Sequence, residues 1–285
     1  MDLEIKKHLI RHCLYDTLQD DSEPNSKVIE ASKYMSLNRS SGLYRPLLLL
    51  STAEGYSVPI ERALPIATAI EFAHVLSLIA DDIIDKSDMR RGSPSCHEKY
   101  GQYIATLTHM YLREVAQEMI EESSFSDAQR QDIRRRVIHT AKDMIYGQEK
   151  DVLQRDLDTP EKVVRMYEQK SGALIGASLA CGGITGNACQ EDINNLNYMG
   201  IALGVSYQII DDAFDKRASS ETGKPSNQDL KKQTLVKMVG LNGVIKIKEE
   251  KDALVDELMN KIHGNTYSLK ELVMQFRRER DKYLL

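Results

Sequence analysis

Apolar residues recur along this chain at helical spacing. Leu3 to Leu18 reads as an amphipathic helix, followed by an acidic, proline-containing break at Asp20 to Pro24. Further patterns run from about Lys27 to Leu37 and from Tyr44 to Ala53, where Pro46 occupies a first-turn position and its missing N–H costs little. A long pattern opens at Pro59 and reaches about Asp85; its middle, Ala67 to Ala80, is apolar nearly all round and predicts a central, buried helix. The same reading predicts helices at about 97–121, 126–155, 160–181, 189–215, 228–239, 243–262 and 267–283, with a polar loop over Lys216 to Gln228. No alternating strand pattern, repeat or linker interrupts the series. The expectation is an all-α fold: one domain over residues 1–285, a bundle of about ten or more helices around one core.

Composition agrees with that class. The 285 residues are 41% hydrophobic, with 16 Gly, seven Pro and no Trp. The 38 basic and 43 acidic side chains leave a net charge of −5, without the basic excess of a generic nucleic-acid binder. Cys13, Cys96, Cys181 and Cys189 are far apart with no CxxC pair, so their spacing indicates neither a zinc knuckle nor a disulfide framework; buried thiols in a reducing compartment are expected. The start, Met1 to Lys7, lacks the basic-then-apolar order of a signal peptide, and no uninterrupted apolar run approaches the ~18 residues of a spanning segment. A soluble, cytoplasmic chain without a membrane span is expected.

Two segments carry the chemistry. Asp81-Asp82-Ile83-Ile84-Asp85 closes the buried helix, and Asp211-Asp212-Ala213-Phe214-Asp215 closes another apolar run, Ile201 to Ile210. In each, the first and last aspartates are four apart and share one helix face. Facing carboxylates repel and their burial is expensive, so such helix ends call for cations. Oxygen-only ligands suit Mg²⁺, a hard ion that keeps waters and shares phosphate oxygens. A solvated helix end would account for one acidic cluster. The same pattern twice points to two carboxylate helices facing one cavity, a multi-metal diphosphate site. Positive charge stands close by in Arg90-Arg91-Gly92, Lys170-Ser171-Gly172, Lys224, Lys232 and Arg45.

Together these segments resemble the trans-isoprenyl diphosphate synthases, the polyprenyl synthetase family. The match runs from Gly42-Leu43-Tyr44-Arg45-Pro46 to at least Thr234, and takes in Gln148 with Asp151, Tyr207-Gln208 before the second cluster, and Gly223-Lys224. The resemblance implies an isoprenoid synthase fold with a central apolar cavity, three Mg²⁺ ions per active site, and commonly a homodimer. It implies condensation of isopentenyl diphosphate with an allylic diphosphate to a longer all-trans prenyl diphosphate. By the same resemblance Asp81, Asp85 and Asp211 are direct Mg²⁺ ligands, and Asp82, Asp212 and Asp215 support them or hold bridging waters. Arg90, Lys170 (with Ser171), Gln208, Lys224 and Lys232 hold the allylic diphosphate; Arg45, His74 and Arg91 hold that of isopentenyl diphosphate.

The chain departs from the family in places. Where the family writes Gly-Gly-Lys-Arg-x-Arg-Pro, this chain has Ser40-Ser41-Gly42-Leu43-Tyr44-Arg45-Pro46. One charge-assisted contact is therefore absent, a loss on the order of 1.5–3 kcal/mol of binding. The usual Ala-Gly-Asp reads Leu107-Thr108-His109-Met110, and the segment 229–234 is short. Two alternatives stay open: a class I terpene cyclase or other prenyl-coupling enzyme on the same scaffold, and a non-catalytic subunit of a heteromeric synthase. The intact aspartate clusters speak against the subunit, and Arg45, His74 and Arg91 speak for condensation.

His74 lies seven positions before Asp81 on the same helical face, which favours a ligand role. His97 and His109 read as structural, Met110 and Met144 as core. Product length should follow from what blocks the cavity below Asp81. Leu76, Ser77 and Ala73 come first and Phe72 is the first large obstruction, so a product longer than fifteen carbons, geranylgeranyl diphosphate, is expected. The apolar stretch with Tyr100, Tyr103, Ile104, Leu107, Met110, Tyr111 and Leu112 is a candidate dimer surface.

Overall fold

Several helices start where a side chain caps them. In the structure, a computed structural model, Asp2 accepts from the Glu4 amide at 2.7 Å ahead of α1 (Leu3–Thr17), and Ser26 from the Ile29 amide at 3.4 Å ahead of α2 (Lys27–Ser36). The structure describes residues 2–19, 23–38, 40–214 and 232–281, so Asp215 and Lys224 lie outside the described residues. The chain continues through α3 (Tyr44–Gly55) and α4 (Ile60–Asp85). The expected helix over 97–121 is two, α5 (Cys96–Tyr100) and α6 (Gln102–Glu121), separated by Gly101 at φ 81°. Ser126 and Gln129 close a reciprocal capping box at the start of α7 (Asp127–Leu153).

The expected helix over 160–181 is also interrupted. It begins as α8 (Pro160–Tyr167), passes through a π-helical turn at Glu168–Gly172 and resumes as α9 (Ala173–Thr185). After α10 (Gln190–Phe214) come α11 (Leu235–Lys261), broken at Gly240 (φ 69°, ψ 176°) close to the expected break between 239 and 243, and α12 (Tyr267–Asp281). A two-residue hairpin that sequence pattern did not reveal pairs Met89–Arg90 (β1) with Ser93–Pro94 (β2).

α4 packs against α3 and α6, while α9, buried along its whole length, lies among α3, α7 and α10. Glycines let α9 and α10 touch backbone to backbone: a Cβ on Gly176 would stand 2.7 Å from the Asn197 carbonyl, and one on Gly200 2.6 Å from the Gly176 Cα. By length and composition α4 could cross a membrane, the only such helix among the described residues. Its place in the core accounts for that composition: 56% of the apolar window is buried within the bundle.

Three core expectations change. Met110 is 50% exposed and Cys189 is exposed, while Cys13 is only partly buried; Cys96 and Cys181 are buried as expected. With Tyr103 and Leu107, Met110 forms an outward apolar row at i, i+4 and i+7 on α6.

Candidate active site

The C-terminal end of α4 delivers Asp81 and Asp85 on one face, about one turn apart, with Asp82 turned away from them into the interior. Asp82 is fully buried and accepts from Arg90 Nε at 3.0 and 3.2 Å and from Arg90 Nη2. Arg90 reaches it because Arg91 (φ 53°) and Gly92 (φ 74°) form the two-residue turn of the hairpin, both at positive φ as a tight antiparallel return requires. Asp82 therefore orients Arg90, which the family resemblance assigns to the allylic diphosphate. Asp81 remains partly accessible, and burial with the neighbouring Asp85 and Asp82 charges raises its pKa against the pull of Lys170 and Arg90.

The opposite wall is built by α7, the π-turn and α10. The π-turn brings the backbone of Lys170 against Gly147, where a Cβ would stand 2.5 Å from the Lys170 nitrogen. One turn further along α7, Asp151 accepts from Lys170 Nζ at 2.5 Å and from Lys232 Nζ at 2.9 Å. Burial raises the Asp151 pKa, but the two ammonium groups outweigh it and hold the carboxyl below its usual range. Lys232 also lies 3.7 Å from Asp85, linking the first cluster to this wall. Ser171 donates to Gln208 Oε1 at 2.6 Å, and Gln208 Nε2 donates to Asp212 at 2.8 Å; Tyr167 donates to the same carboxylate. Asp151, Lys170, Gln208, Asp212 and Lys232 line one cavity of about 40 Å³. The residues of both clusters that the structure describes thus converge on one side of the bundle.

A third group meets beside them. Arg45 Nη1 stands 3.1 Å from His74 Nε2, with Arg91 Nη2 at 3.4 Å. Burial, with Arg45, Arg91 and Arg90 around it, lowers the His74 pKa well below the usual imidazole value, so the neutral ring accepts from the guanidinium groups. Their charge is answered by Glu71, 1% exposed, which accepts from Ser41 at 3.2 Å; its pKa is raised by burial and drawn back by Arg91 and Arg45. Sequence reading missed Glu71, although a carboxylate in the middle of an apolar helix is itself a signal of buried cations.

It also missed the part played by α12. Arg280 lies 3.1 Å from Asp211, donates to the Tyr207 hydroxyl and stacks over the Tyr207 ring at 4.1 Å. Phe276 stacks on Tyr207 at 5.5 Å and meets Tyr44 edge-on at 4.6 Å, and the Tyr44 hydroxyl donates to Glu279. This packing bears on the departure at Gly42. A Cβ there would stand 2.5 Å from the Tyr44 ring, so a Lys in this position would collide with the aromatic that seats α12.

Among the described residues, both buried amide atoms of Gln148 and the Nε of Arg45 have no hydrogen-bond partner, an expensive arrangement that a polar ligand would relieve. The donor set fits Mg²⁺: carboxylate oxygens at the ends of α4 and α10, with the Asp81 pKa raised by burial and by its neighbouring carboxylates, so that a nearby cation would favour its charged form.

The face of α4 below Asp81 corrects one expectation. Ala73 and Ser77 keep partial solvent access, whereas Phe72 is fully buried in the core. Phe72 stands nine residues before Asp81, about 180° round the helix, so it does not share the face that carries that carboxylate. Leu76, five residues before Asp81 and so about 140° round the helix, packs partly buried against the core.

A family model described as polyprenyl synthetase matches residues 26–275. The chain is 32% identical over 254 residues to a geranylgeranyl diphosphate synthase of Saccharolobus solfataricus, covering 83% of this chain and 73% of that protein. It is 31% identical to a mitochondrial geranylgeranyl pyrophosphate synthase of Arabidopsis thaliana, covering 73% of this chain and 63% of that one. Among solved structures, a geranyltranstransferase of Thermotoga maritima superposes with a TM-score of 0.78 at 28% identity, covering 98% of each chain. A geranyltransferase of Helicobacter pylori complexed with magnesium and isoprenyl diphosphate has the same fold, with a TM-score of 0.82 at 23% identity over 96% of each chain. With two aspartate-tipped helices, a cationic wall between them and these likenesses, the chain belongs to the polyprenyl synthetase family of prenyltransferases.

Proposed function

We propose that this protein condenses isopentenyl diphosphate with an allylic diphosphate in an Mg²⁺-dependent reaction whose product is all-trans geranylgeranyl diphosphate. The observation that carries the proposal is the bridge made by Lys232 from Asp85 of the first cluster to Asp151, in the wall of a cavity that Gln208 and Asp212 of the second segment also line. Asp81, Asp85 and Asp211 would hold Mg²⁺, three ions by family resemblance, and the bound metal would supply the charge that makes diphosphate a tolerable leaving group.

The chain's own residues do the rest. Lys170 and Lys232, poised on Asp151, donate to the leaving diphosphate oxygens as the allylic C–O bond ionises. Arg90 adds charge from its seat on Asp82. Arg45 and Arg91, aligned by the neutral ring of His74, hold the second diphosphate so that the isopentenyl double bond faces the allylic carbon; positioning replaces a nucleophilic side chain. The proton lost afterwards goes to the departing diphosphate. Small side chains at Ala73 and Ser77 leave room for a growing tail, which is the basis for a product longer than fifteen carbons.

Incubating purified protein with Mg²⁺ and allylic diphosphates, with and without isopentenyl diphosphate, tests this. Elongated diphosphates ending at twenty carbons are expected, and chelation should abolish them. Hydrocarbons or cyclic alcohols formed without isopentenyl diphosphate would overturn the assignment in favour of a cyclase. The exposed row of Tyr103, Leu107 and Met110 on α6, together with Ile138, Ile145 and Tyr146 on α7, supports a homodimer through these two helices. Light scattering should then give twice the chain mass.

A further inference from the structure

α10 carries its aspartates at one end and begins about 30 Å away at the other, far from the catalytic chemistry. Three side chains of different chemistry meet there. Cys189 immediately precedes α10, Asp192 lies in its first turn, and His263 belongs to the connection between α11 and α12. Their Sγ, carboxylate oxygen and ring nitrogen all lie within 4.8 Å of one another, with His263 Nδ1 2.9 Å from Asp192 Oδ1.

The central ligand is already fixed. Asp192 is 1% exposed, and its carboxylate accepts from the Tyr56 hydroxyl at 2.6 Å and from the His263 amide at 3.2 Å. Metal-binding carboxylates are oriented by such outer hydrogen bonds. Cys189 and His263 are exposed, so each can move toward Asp192 without disturbing the core. Tetrahedral coordination at about 2.0–2.3 Å puts donors roughly 3.3–3.8 Å apart, within an ångström or so of their present separations. A thiolate, an imidazole and a carboxylate are the ligand types of Zn²⁺; the oxygen-only aspartate clusters at the far end of α10 suit Mg²⁺.

We infer that Cys189, Asp192 and His263 form a Zn²⁺ site, completed by water, that clasps the turn before α10 to the turn before α12. Binding expels the Cys189 thiol proton and takes His263 as the neutral ring, with its remaining proton on the nitrogen away from the ion. The thiolate and carboxylate together balance the charge of the ion. Neither side of the clasp is predictable from spacing, because His263 is more than seventy residues from its partners, as the 71-residue separation from Asp192 shows. The clasp adds to contacts already present, since the Asn265 amide donates to the Gly55 carbonyl at 2.9 Å. It would secure the start of α12, whose other end seats Arg280 on Asp211.

The test uses the full chain stripped by chelator, then held in excess Mg²⁺ to occupy the aspartate clusters. Titration with Zn²⁺ by calorimetry should give one ion per chain, and the melting temperature should rise with zinc. Co²⁺ should produce a near-ultraviolet thiolate-to-metal band. Cys189→Ser should abolish that band and weaken zinc binding at least tenfold, as should His263→Ala. Both variants should transfer prenyl groups at the wild-type rate when zinc is absent, and Cys189→Ser should then melt as the wild type does, which separates lost binding from lost folding. No zinc uptake by the wild-type chain, or uptake that both variants retain, overturns the assignment.

Discussion

Gln148 offers the sharpest test of where substrate sits. Its amide nitrogen and oxygen are both buried and have no partner among the described residues, and each such group costs about 1–3 kcal/mol. Gln148→Met keeps the length of the side chain and removes both polar atoms. The free protein should therefore gain about 2 kcal/mol of stability, a rise of a few degrees in melting temperature for a chain of this size. Catalysis should move the opposite way. If the amide is reserved for a charged ligand, its loss removes about 1.5–3 kcal/mol of charge-assisted hydrogen bonding, or about 10- to 100-fold in kcat/KM. Thermal melts without metal or substrate, paired with steady-state kinetics of isopentenyl diphosphate incorporation, measure both quantities on one preparation. A variant that melts lower than the wild type while keeping activity within about twofold would refute the reasoning, because Gln148 would then be paired in the free protein.

Gly147→Ala pushes a methyl group against the Lys170 backbone, so a loss of about 1–3 kcal/mol in stability is expected, with a fall in kcat/KM for the allylic substrate that steady-state kinetics would reveal. Ser77→Phe should shorten the product, read by chromatography of the dephosphorylated alcohols; an unchanged length would show that the tail does not pass Ser77. His74 has a folded-state pKa well below that of the unfolded chain. Its contribution to stability is thus present above about pH 6.5 and declines as pH falls from there toward the folded value. Denaturant midpoints across that window should fall less steeply for His74→Asn than for the wild type.

Much of this protein was legible along the chain. The helices α1 to α4, α7 and α10 follow from apolar periodicity, with side-chain caps at the starts of α1, α2 and α7, signals that act over a few neighbours, and the two aspartate clusters are visible because four-residue spacing sets a shared face on any helix. The departures are also local: Gly101 splits an expected helix, and the π-turn at Glu168–Gly172 breaks another where Lys170 must approach Gly147. Pairing between distant segments is a different matter. That Asp82 would hold Arg90 and not face outward, that Arg280 would lie on Asp211, that Glu71 would balance Arg45 and Arg91, and that Cys189 would meet His263 depend on how helices cross and which faces they bury. Phe72 belongs with the legible features: its nine-residue spacing from Asp81 sets it about 180° round α4, and the structure buries it in the core. Periodicity and spacing are properties of a single segment and can be read from it; the partner of a buried charge is selected by packing among segments, because desolvation leaves each such group no option but whatever opposite charge or hydrogen bond the folded chain places within reach.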